Sequence, residues 1–226
     1  MTGNDRNGYN ANEMTTIAPT PPPLQQPVME GISWQTYEAL LRELCAAGSH
    51  LRVTYDQGRM VVMSPLPIHE KWKQIFDRLI VILSEARRAP ISAYGSTTWK
   101  REVIKRGLEP DQCYYVQHAP QMRGREDIDL EIDPPPDLAI EVDVTNHPID
   151  RMSIYASLKI PEVWRYRRRQ VECWHLDNDR YELREESLAF PGFKPSALAE
   201  FLRMHPAMLD SEIAEAFREW LKSQPN

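Results

Sequence analysis

The segment Pro136-Asp-Leu-Ala-Ile-Glu-Val-Asp-Val-Thr145 constrains the fold more than any other part of the sequence. From 138 to 144 the even-numbered positions contain only aliphatic residues, Leu138, Ile140, Val142 and Val144. From 137 to 145 the odd-numbered positions contain Asp137, Ala139, Glu141, Asp143 and Thr145. Alternation with a period of two is typical of a β-strand. We therefore predict a strand that buries its aliphatic face in a core and directs Glu141 and Asp143 to the opposite side.

The rest of the chain alternates between helical and strand-like patterns. Apolar spacing of three and four residues predicts helices at about 34–47, with Ser33 as N-cap, at 68–88, at 148–158 and twice near the C-terminus. Strand patterns occupy 51–55 and 60–63, a hairpin around Asp56-Gln-Gly58, and then 91–95, 97–104, 111–117, 163–167, 171–176 and 181–184. Gly107 is predicted to lie in a turn, and residues 118–135 to form a long loop.

The length of 226 residues suits one main domain with short appendages. Residues 1–30 contain a proline cluster and few apolar residues, which predicts a disordered or loosely docked leader. The main domain is expected over residues 31–205, and residues 206–226 form a C-terminal amphipathic helix. The apolar stripe of that helix, Leu209, Ile213, Phe217 and Trp220, requires cover from the domain itself or from a second copy in a homodimer.

Composition narrows the class of protein. The three cysteines, Cys45, Cys113 and Cys173, form no CxxC pair, which argues against a disulfide framework or a zinc ribbon. His118, His147 and His175 show no metal-ligand spacing. We find neither a signal peptide nor a run of 18 apolar residues, so we expect a cytoplasmic protein with no membrane span.

The net charge of −6 argues weakly against a protein that coats nucleic acid, because phosphate neutralisation requires clustered Lys and Arg. Local basic patches do occur. The run Arg165-Tyr-Arg-Arg-Arg169 is consistent either with a hairpin that grips phosphate or with a solvated turn.

The acidic face of the 137–145 strand suggests a metal site. Glu141 and Asp143 point the same way and repel each other, and partly buried carboxylates are unfavourable unless a cation or donors compensate them. Mg²⁺ is a natural compensator, since it accepts one or two carboxylates together with water and substrate phosphate. Asp111, at the start of another strand, could complete the set. The alternative is a solvated sheet face on which Glu141 and Asp143 pair with Arg or Lys from a neighbour.

Four motifs occur in a fixed order: Leu108-Glu-Pro-Asp-Gln-Cys-Tyr-Tyr115, Pro136–Thr145, Ile149-Asp-Arg-Met-Ser-Ile-Tyr155 and Ile160-Pro-Glu-Val-Trp-Arg-Tyr166. Together they resemble the Uma-two family, which is grouped with the PD-(D/E)XK, restriction-endonuclease-like superfamily. The resemblance also includes Met63-Ser-Pro65 with His69, and it extends over about residues 33–205.

The resemblance implies an α/β (α+β) fold, with a mixed sheet flanked by helices and preceded by a helix and a hairpin. It also implies hydrolysis of DNA phosphodiester bonds with Mg²⁺, or alternatively Mn²⁺, as cofactor. Pro110-Asp111 matches the PD motif and Glu141 the acidic position of (D/E)XK, so Asp111 and Glu141 are the implied metal ligands. Glu70 matches a helical acid that assists the metal, although a solvated glutamate in the first turn of a helix has the same pattern.

One departure from the superfamily pattern concerns the cation of the site. Asp143 stands where the superfamily has Lys, and relatives of the family have a Lys in the next helix, at the position of Arg151. An arginine can stabilise charge on phosphate but cannot act as a general base at neutral pH. Its alternative role is a salt bridge to Asp143 or Asp150. We therefore retain two hypotheses, an active nuclease with Asp143 and Arg151 as auxiliaries, and a nuclease-fold scaffold that has lost cleavage.

Overall fold

The computed structural model describes residues 26–143 and 147–224, which form two β-sheets and five α-helices. The helices are α1 (Trp34–Ala46), α2 (Pro67–Arg87), α3 (Arg151–Ser157), α4 (Leu198–Met204) and α5 (Asp210–Ser223). The strands are β1 (Arg52–Asp56), β2 (Arg59–Met63), β3 (Ser92–Ala93), β4 (Trp99–Arg101), β5 (Arg106–Leu108), β6 (Gln112–Tyr115), β7 (Leu138–Asp143), β8 (Glu162–Arg167), β9 (Gln170–Asp177) and β10 (Arg180–Arg184). Most of the predicted leader lies outside the described residues, as do Val144 and Thr145.

The larger sheet confirms the predicted fold class. Its six strands lie in the order β10-β9-β8-β7-β6-β3, with β7 and β8 parallel and the other neighbours antiparallel. The α3 helix connects the two parallel strands, as such a crossover usually requires. Asp150 caps this helix by accepting hydrogen bonds from Met152 N and Ser153 N, at 3.1 and 3.4 Å.

The predicted hairpin belongs to a second sheet that the sequence patterns did not reveal. This antiparallel sheet has the order β2-β1-β5-β4. The prediction of a turn at Gly107 was wrong, because Gly107 lies within β5 and pairs with Tyr55 and Lys100. Glycine is required there for space, since an added Cβ would lie 2.3 Å from the Tyr37 hydroxyl oxygen. The chain turns before this strand, with Lys105 in the left-handed region at φ 52°.

Three apolar clusters arrange these elements in layers. The α1 helix packs on one face of the smaller sheet, where its Trp34 and Tyr37 rings contact Tyr55 of β1. The other face of that sheet and α3 pack against the larger sheet around Ala139 and Val163. On its far side the larger sheet packs against α2, α4 and α5. The side chains of Glu141 and Asp143 share the face of Ala139, so they lie on the side of the larger sheet that faces the smaller one.

The apolar stripe of the C-terminal helix packs on the body of the domain, which is one of the two kinds of cover predicted for it. Ile213 and Phe217 of α5 are buried in the core beside α2 and α4, and the rings of Phe201 and Phe217 lie 4.9 Å apart. Leu209, at the start of this helix, remains exposed. Within residues 26–143 and 147–224, every helix is too short or too polar to cross a membrane.

Candidate active site

Asp111 lies beside β7 because the chain enters β6 in antiparallel register with that strand. Gln112 pairs with Ile140, and Asp111 N donates to Ile140 O at 3.1 Å, which sets Asp111 opposite Glu141. The Asp111 carboxylate accepts a hydrogen bond from Val142 N at 2.6 Å and is almost completely buried. The two acids that the sequence predicted as metal ligands are therefore neighbours on adjacent strands.

Glu141 is enclosed by side chains from the helix and the segment that follow its strand. Arg151 Nη2 and the Tyr155 hydroxyl donate to Glu141 Oε2 at 2.9 and 2.5 Å, and Arg151 Nε lies 2.6 Å from Oε1. His147 Nε2 lies 3.7 Å from the same Oε1 atom. Arg151 and Tyr155 are four residues apart and thus share one face of α3. The partner of Arg151 is Glu141, rather than the Asp143 or Asp150 that we considered from the sequence.

Arg151 also connects the two sheets. Its Nη1 donates to Thr54 Oγ1 of β1 at 2.8 Å, and its Nη2 donates to the backbone carbonyl of Glu109 at 2.7 Å. The guanidinium is thus fixed by a carboxylate, a hydroxyl and a carbonyl from three segments. Such a rigid fork suits recognition of oxygen atoms.

Arg52, a residue of β1 that the sequence analysis did not single out, bridges two of the predicted acids. Its Nη1 donates to Asp111 Oδ1, and its Nη2 donates to Glu70 Oε1 at 2.6 Å. Glu70 is 40% exposed and also lies 3.7 Å from Lys73 Nζ. His69 is buried, with its Nδ1 3.2 Å from Asp111 Oδ1. Glu70 therefore reaches Asp111 only through the guanidinium of Arg52.

Asp143 forms a separate part of the site with two arginines of β8. The parallel register sets Asp143 beside Arg167, and the Asp143 carboxylate accepts from Arg165 Nη2 and lies 3.4 Å from Arg167 Nε. All three line an open cleft of about 250 Å³ together with Glu141 and His147. The alternative drawn from the sequence, carboxylates paired with arginine, describes these contacts correctly. Glu141 and Asp143 are themselves buried, however, at the floor of this cleft and not on a solvated sheet face.

The electrostatics of the two central acids differ. Burial raises the pKa of Glu141, but Arg151, His147 and the Tyr155 hydrogen bond outweigh it and lower the pKa to about 2. Burial and the neighbouring Glu141 carboxylate raise the pKa of Asp111, and Arg52 and His69 offset this only in part. Burial lowers the pKa of His147 and so favours its neutral form. Glu141 is thus firmly ionised, whereas Asp111 lacks full compensation for its charge.

The donor set fits a hard divalent cation. Asp111 and Glu141 provide carboxylate oxygens on adjacent strands, and Mg²⁺ binds through one or two carboxylates with water in its other positions. Burial and the neighbouring Glu141 carboxylate raise the pKa of Asp111, and a divalent cation would oppose both effects by stabilising the ionised form. Among the described residues, no set of three that includes Asp111, Glu141 or Glu70 brings its ligand atoms within 4.8 Å of one another.

Arg52 and Thr54, two of the residues missed from the sequence, have one signal in common. Arg52 and Thr54 alternate along β1 with Val53 and Tyr55, which are buried against α1. Period-two alternation therefore directs Arg52 away from α1, toward the other sheet. An arginine at an inward position of a strand is a signal that could have been used. His147 gave no such signal, because its contact with Glu141 depends on the path of the chain after β7.

Comparisons with known proteins agree with the motif order. A family model named Uma2 and described as "Putative restriction endonuclease" matches residues 34–202. The resemblance proposed from the four motifs is thereby confirmed. No curated protein matches the sequence. A crystal structure titled as "a putative nuclease belonging to DUF820 from Anabaena variabilis" matches at 12% identity over 75% of this chain and 90% of that chain, with a TM-score of 0.41.

Proposed function

The chain belongs to the Uma2 restriction-endonuclease family, and on that premise we propose that it is a Mg²⁺-dependent endonuclease that hydrolyses DNA phosphodiester bonds. The observation that supports this most directly is the register of β6 and β7, in which Asp111 lies opposite Glu141, a residue that lines the cleft. In this proposal Asp111 and Glu141 hold the cation, and Mn²⁺ can replace Mg²⁺. Glu70 and Asp143 act as auxiliary acids.

The cation, when bound, supplies Lewis-acid polarisation of the phosphoryl oxygen and a bound water of lowered pKa. The protein residues position the substrate and stabilise charge. Arg151, held by Glu141 and Thr54, presents a fixed guanidinium to the negative charge that develops on phosphate. The Tyr155 hydroxyl donates to Glu141 Oε2 and so helps to hold the carboxylate that positions Arg151. Arg151 remains protonated throughout, so it assists electrostatically and does not accept a proton.

The proposal predicts that the purified protein nicks plasmid DNA in Mg²⁺ or Mn²⁺ and that a chelator abolishes the cleavage. Asp111→Asn and Glu141→Gln are each expected to lower the cleavage rate by at least about 100-fold, because each removes a charged ligand while preserving side-chain shape. The measurement is the rate of conversion of supercoiled to open-circular and linear plasmid. Supercoiled, linear and single-stranded DNA should be tested in parallel.

The matched control is Glu109→Gln. Glu109 is a neighbour of Asp111 in sequence, and its side chain accepts from Val53 N, at 3.4 Å, rather than from the arginines of the site. We expect this variant to keep a cleavage rate within about threefold of the wild type. If the wild type, Asp111→Asn and Glu141→Gln preparations all cleave equally, the activity belongs to a contaminant and the proposal is wrong.

A second candidate function is a nuclease-fold scaffold without cleavage. The observation that favours it is the pairing of the acids with arginine, Asp111 with Arg52 and Glu141 with Arg151. Calorimetric titration with Mg²⁺ and Mn²⁺ distinguishes the two. Absence of metal binding together with salt-dependent DNA binding would favour the scaffold, and saturable metal binding that Asp111→Asn removes would favour the nuclease.

The β8–β9 hairpin is the part of the cleft proposed to contact the DNA backbone. Arg165 and Arg167 line the cleft, and Arg168 and Arg169 form the exposed turn beyond them. Both turn residues have positive φ, 50° and 62°, in a two-residue connection that normally favours Asn-Gly. Arginine at both positions costs backbone energy, and a phosphate contact would explain why positive charge is nevertheless present.

We expect Arg168→Asn/Arg169→Gly to stabilise the fold and weaken DNA binding at the same time. The replacement suits the turn and should raise the free energy of unfolding by about 1 kcal/mol. It also removes two positive charges, so the slope of log K against log salt should fall by about 1.8. Urea denaturation and fluorescence-anisotropy titrations at several salt concentrations provide the two measurements.

Asp179→Gly is the matched control for that experiment. Asn178 and Asp179 form the β9–β10 turn with φ values of 44° and 68°, so glycine should relax this turn as well. The turn lies away from the cleft-lining residues, and we expect the salt slope to stay that of the wild type. An unchanged slope in Arg168→Asn/Arg169→Gly would contradict the proposed phosphate contact.

A further inference from the structure

A second cluster of possible metal ligands lies where β8 pairs with β9. Glu162 is the register partner of His175, and Cys173 is two residues away on the same face of β9. Cys173 Sγ lies 3.1 Å from Glu162 Oε1 and 3.4 Å from His175 Nε2, and the remaining side, His175 Nε2 to Glu162 Oε1, is 3.8 Å. Within the described parts of the chain, this is the one group of three or more such residues with ligand atoms this close.

The triangle has the size that a tetrahedral zinc ion needs. Bonds of about 2.0–2.3 Å to nitrogen, oxygen and sulfur require ligand atoms roughly 3.3–3.8 Å apart. Tetrahedral angles at these bond lengths require about 3.5 Å from sulfur to each of the other two atoms and about 3.3 Å between nitrogen and oxygen. The three distances in the cluster, 3.1, 3.4 and 3.8 Å, each lie within about 0.5 Å of these values. A thiolate, an imidazole and a carboxylate together favour Zn²⁺ over Mg²⁺. Small shifts of the side chains, of roughly half an ångström, therefore suffice to bind it.

The carboxylate of the cluster is already oriented by neighbouring groups. Glu162 is 0% exposed, and Oε1 accepts a hydrogen bond from Trp164 Nε1 at 2.6 Å. Oε2 accepts from Ala189 N at 2.7 Å and from Ser187 Oγ at 3.2 Å. Hydrogen-bond donors that hold a ligand in this way fix the direction in which it meets a metal ion. The His175 side chain, 15% exposed, gives an ion a path from solvent.

The cluster is separate from the candidate nuclease site. Glu162 is the first residue of β8 and shares the face of Trp164, which packs toward α4 and α5. Glu141 lies beside Arg165, three positions further along, and on the opposite face. An ion at Glu162 therefore stabilises the far side of the larger sheet and does not touch the proposed scissile phosphate.

We propose that Glu162, Cys173 and His175 form a structural Zn²⁺ site, with a water molecule as fourth ligand. On binding, the Cys173 thiol loses its proton to solvent and a sulfur–zinc bond forms, so no oxidant or reductant is required. Burial and Glu162 raise the pKa of Cys173, so the thiol keeps its proton and donates to Glu162 when no metal is bound. Uptake of Zn²⁺ is consequently coupled to release of one proton.

The test titrates the full-length, chelator-treated protein with Co²⁺ and with Zn²⁺. We expect one equivalent of Co²⁺ to produce thiolate-to-cobalt charge-transfer absorption and the intense visible bands of tetrahedral cobalt, and Zn²⁺ to displace it. Cys173→Ser should abolish the charge-transfer band, and His175→Gln should weaken binding at least about 100-fold. All proteins should have the Cys45→Ser background, which removes an exposed thiol. A thermal shift with Zn²⁺, present in the parent and lost in His175→Gln, is the second measurement.

Cys113→Ser is the matched control, because Cys113 is also buried and free but has no histidine or carboxylate among its hydrogen-bond partners. It should bind Co²⁺ as the parent does. The proposal is overturned if Co²⁺ gives no charge-transfer band, or if Cys173→Ser retains it. Because the His175 side chain is partly exposed, we expect His175→Gln to fold, and circular dichroism checks that it does. Retention of parental affinity in a folded His175→Gln would also overturn the site.

Discussion

Arg151→Met is expected to lower the free energy of unfolding by about 3–5 kcal/mol at neutral pH in chelator, because it leaves the Glu141 carboxylate buried without its cation. Methionine has nearly the length of arginine, so the loss reflects charge and hydrogen bonding more than a cavity. The variant also loses the contacts to Thr54 and to the carbonyl of Glu109 that join the two sheets. Urea denaturation measured by fluorescence provides the comparison with the wild type.

The loss of unfolding free energy in Arg151→Met should depend on pH. In the wild type the pKa of Glu141 is lowered from 4.5 to about 2, so its stabilising contribution is complete above about pH 4.5 and disappears as pH falls toward 2. Without Arg151, burial has the larger effect and raises that pKa, so the carboxyl accepts a proton as the solution is acidified. The difference between Arg151→Met and the wild type should therefore be largest at pH 7 and shrink toward pH 4. A difference that grows on acidification would contradict the assigned pair.

Two further variants isolate the charge interaction. Glu141→Gln/Arg151→Met removes both charges and should cost less than Arg151→Met alone, which a double-mutant cycle measures as coupling between the two sites. Tyr155→Phe removes the hydrogen bond to the Glu141 carboxylate and the 3.4 Å contact with Arg151 Nη2, and it should cost about 1.5–3 kcal/mol, less than Arg151→Met. Equal losses in the single Arg151→Met variant and the double variant would indicate that Arg151 acts mainly through Thr54 and Glu109.

Period-two alternation allowed the central strand and its acids to be predicted from sequence. Residues 138–143 form β7 as predicted, with the aliphatic side chains in the core and Glu141 and Asp143 on the other face. The strand that contains Asp111 was predicted too, but the register of β6 with β7, which sets Asp111 opposite Glu141, comes from the assembled sheet. Alternation determines which face a side chain occupies, whereas pairing between strands determines its neighbours.

Arg151 was predicted as a cation of the site, whereas Arg52 and Thr54 of β1 were not predicted as part of it, because they lie far from their partners along the chain. Arg52 reaches Asp111 across 59 residues, and Thr54 reaches Arg151 across 97. These contacts exist only because the hairpin joins a second sheet that covers the acidic face of the first. The turn wrongly predicted at Gly107 has the same origin, since Gly107 admits the Tyr37 hydroxyl within that second sheet. The metal-ligand triangle at Glu162 likewise requires the β8–β9 register.

The acidic site has its own positive charges, and this bears on how a metal ion would bind. Asp111 is in contact with Arg52, and Glu141 is in contact with Arg151. Arg151 is anchored by three further oxygens, from Thr54, Glu109 and Tyr155, whereas the side-chain partners of Arg52 within residues 26–143 and 147–224 are the two carboxylates of Asp111 and Glu70. Arg52 is therefore the cation that a divalent ion would displace.

Arg52→Met is expected to make the stability of the protein depend on Mg²⁺. In chelator the variant should lose about 3–5 kcal/mol, since Asp111 is then buried beside Glu141 without its guanidinium partner, and the neighbouring His69 offsets its charge only in part. Mg²⁺ at about 100 times its Kd should restore about 2.7 kcal/mol of that loss. The wild type should gain less at the same Mg²⁺ concentration, because binding must first displace Arg52. Urea denaturation with and without Mg²⁺, together with calorimetric Mg²⁺ titration, measures both effects.

Arg106→Met is the matched control for this prediction. Arg106 also belongs to the smaller sheet and pairs with Asp56 at 2.7 Å, but the pair lies away from Asp111. It should reduce stability to the same extent in chelator and in Mg²⁺. If Arg52→Met gains no more from Mg²⁺ than Arg106→Met does, then Arg52 and the ion do not compete for Asp111, and the carboxylates assigned to the metal must be revised. If Arg52→Met binds Mg²⁺ more tightly than the wild type, Arg52 is the residue that limits metal affinity.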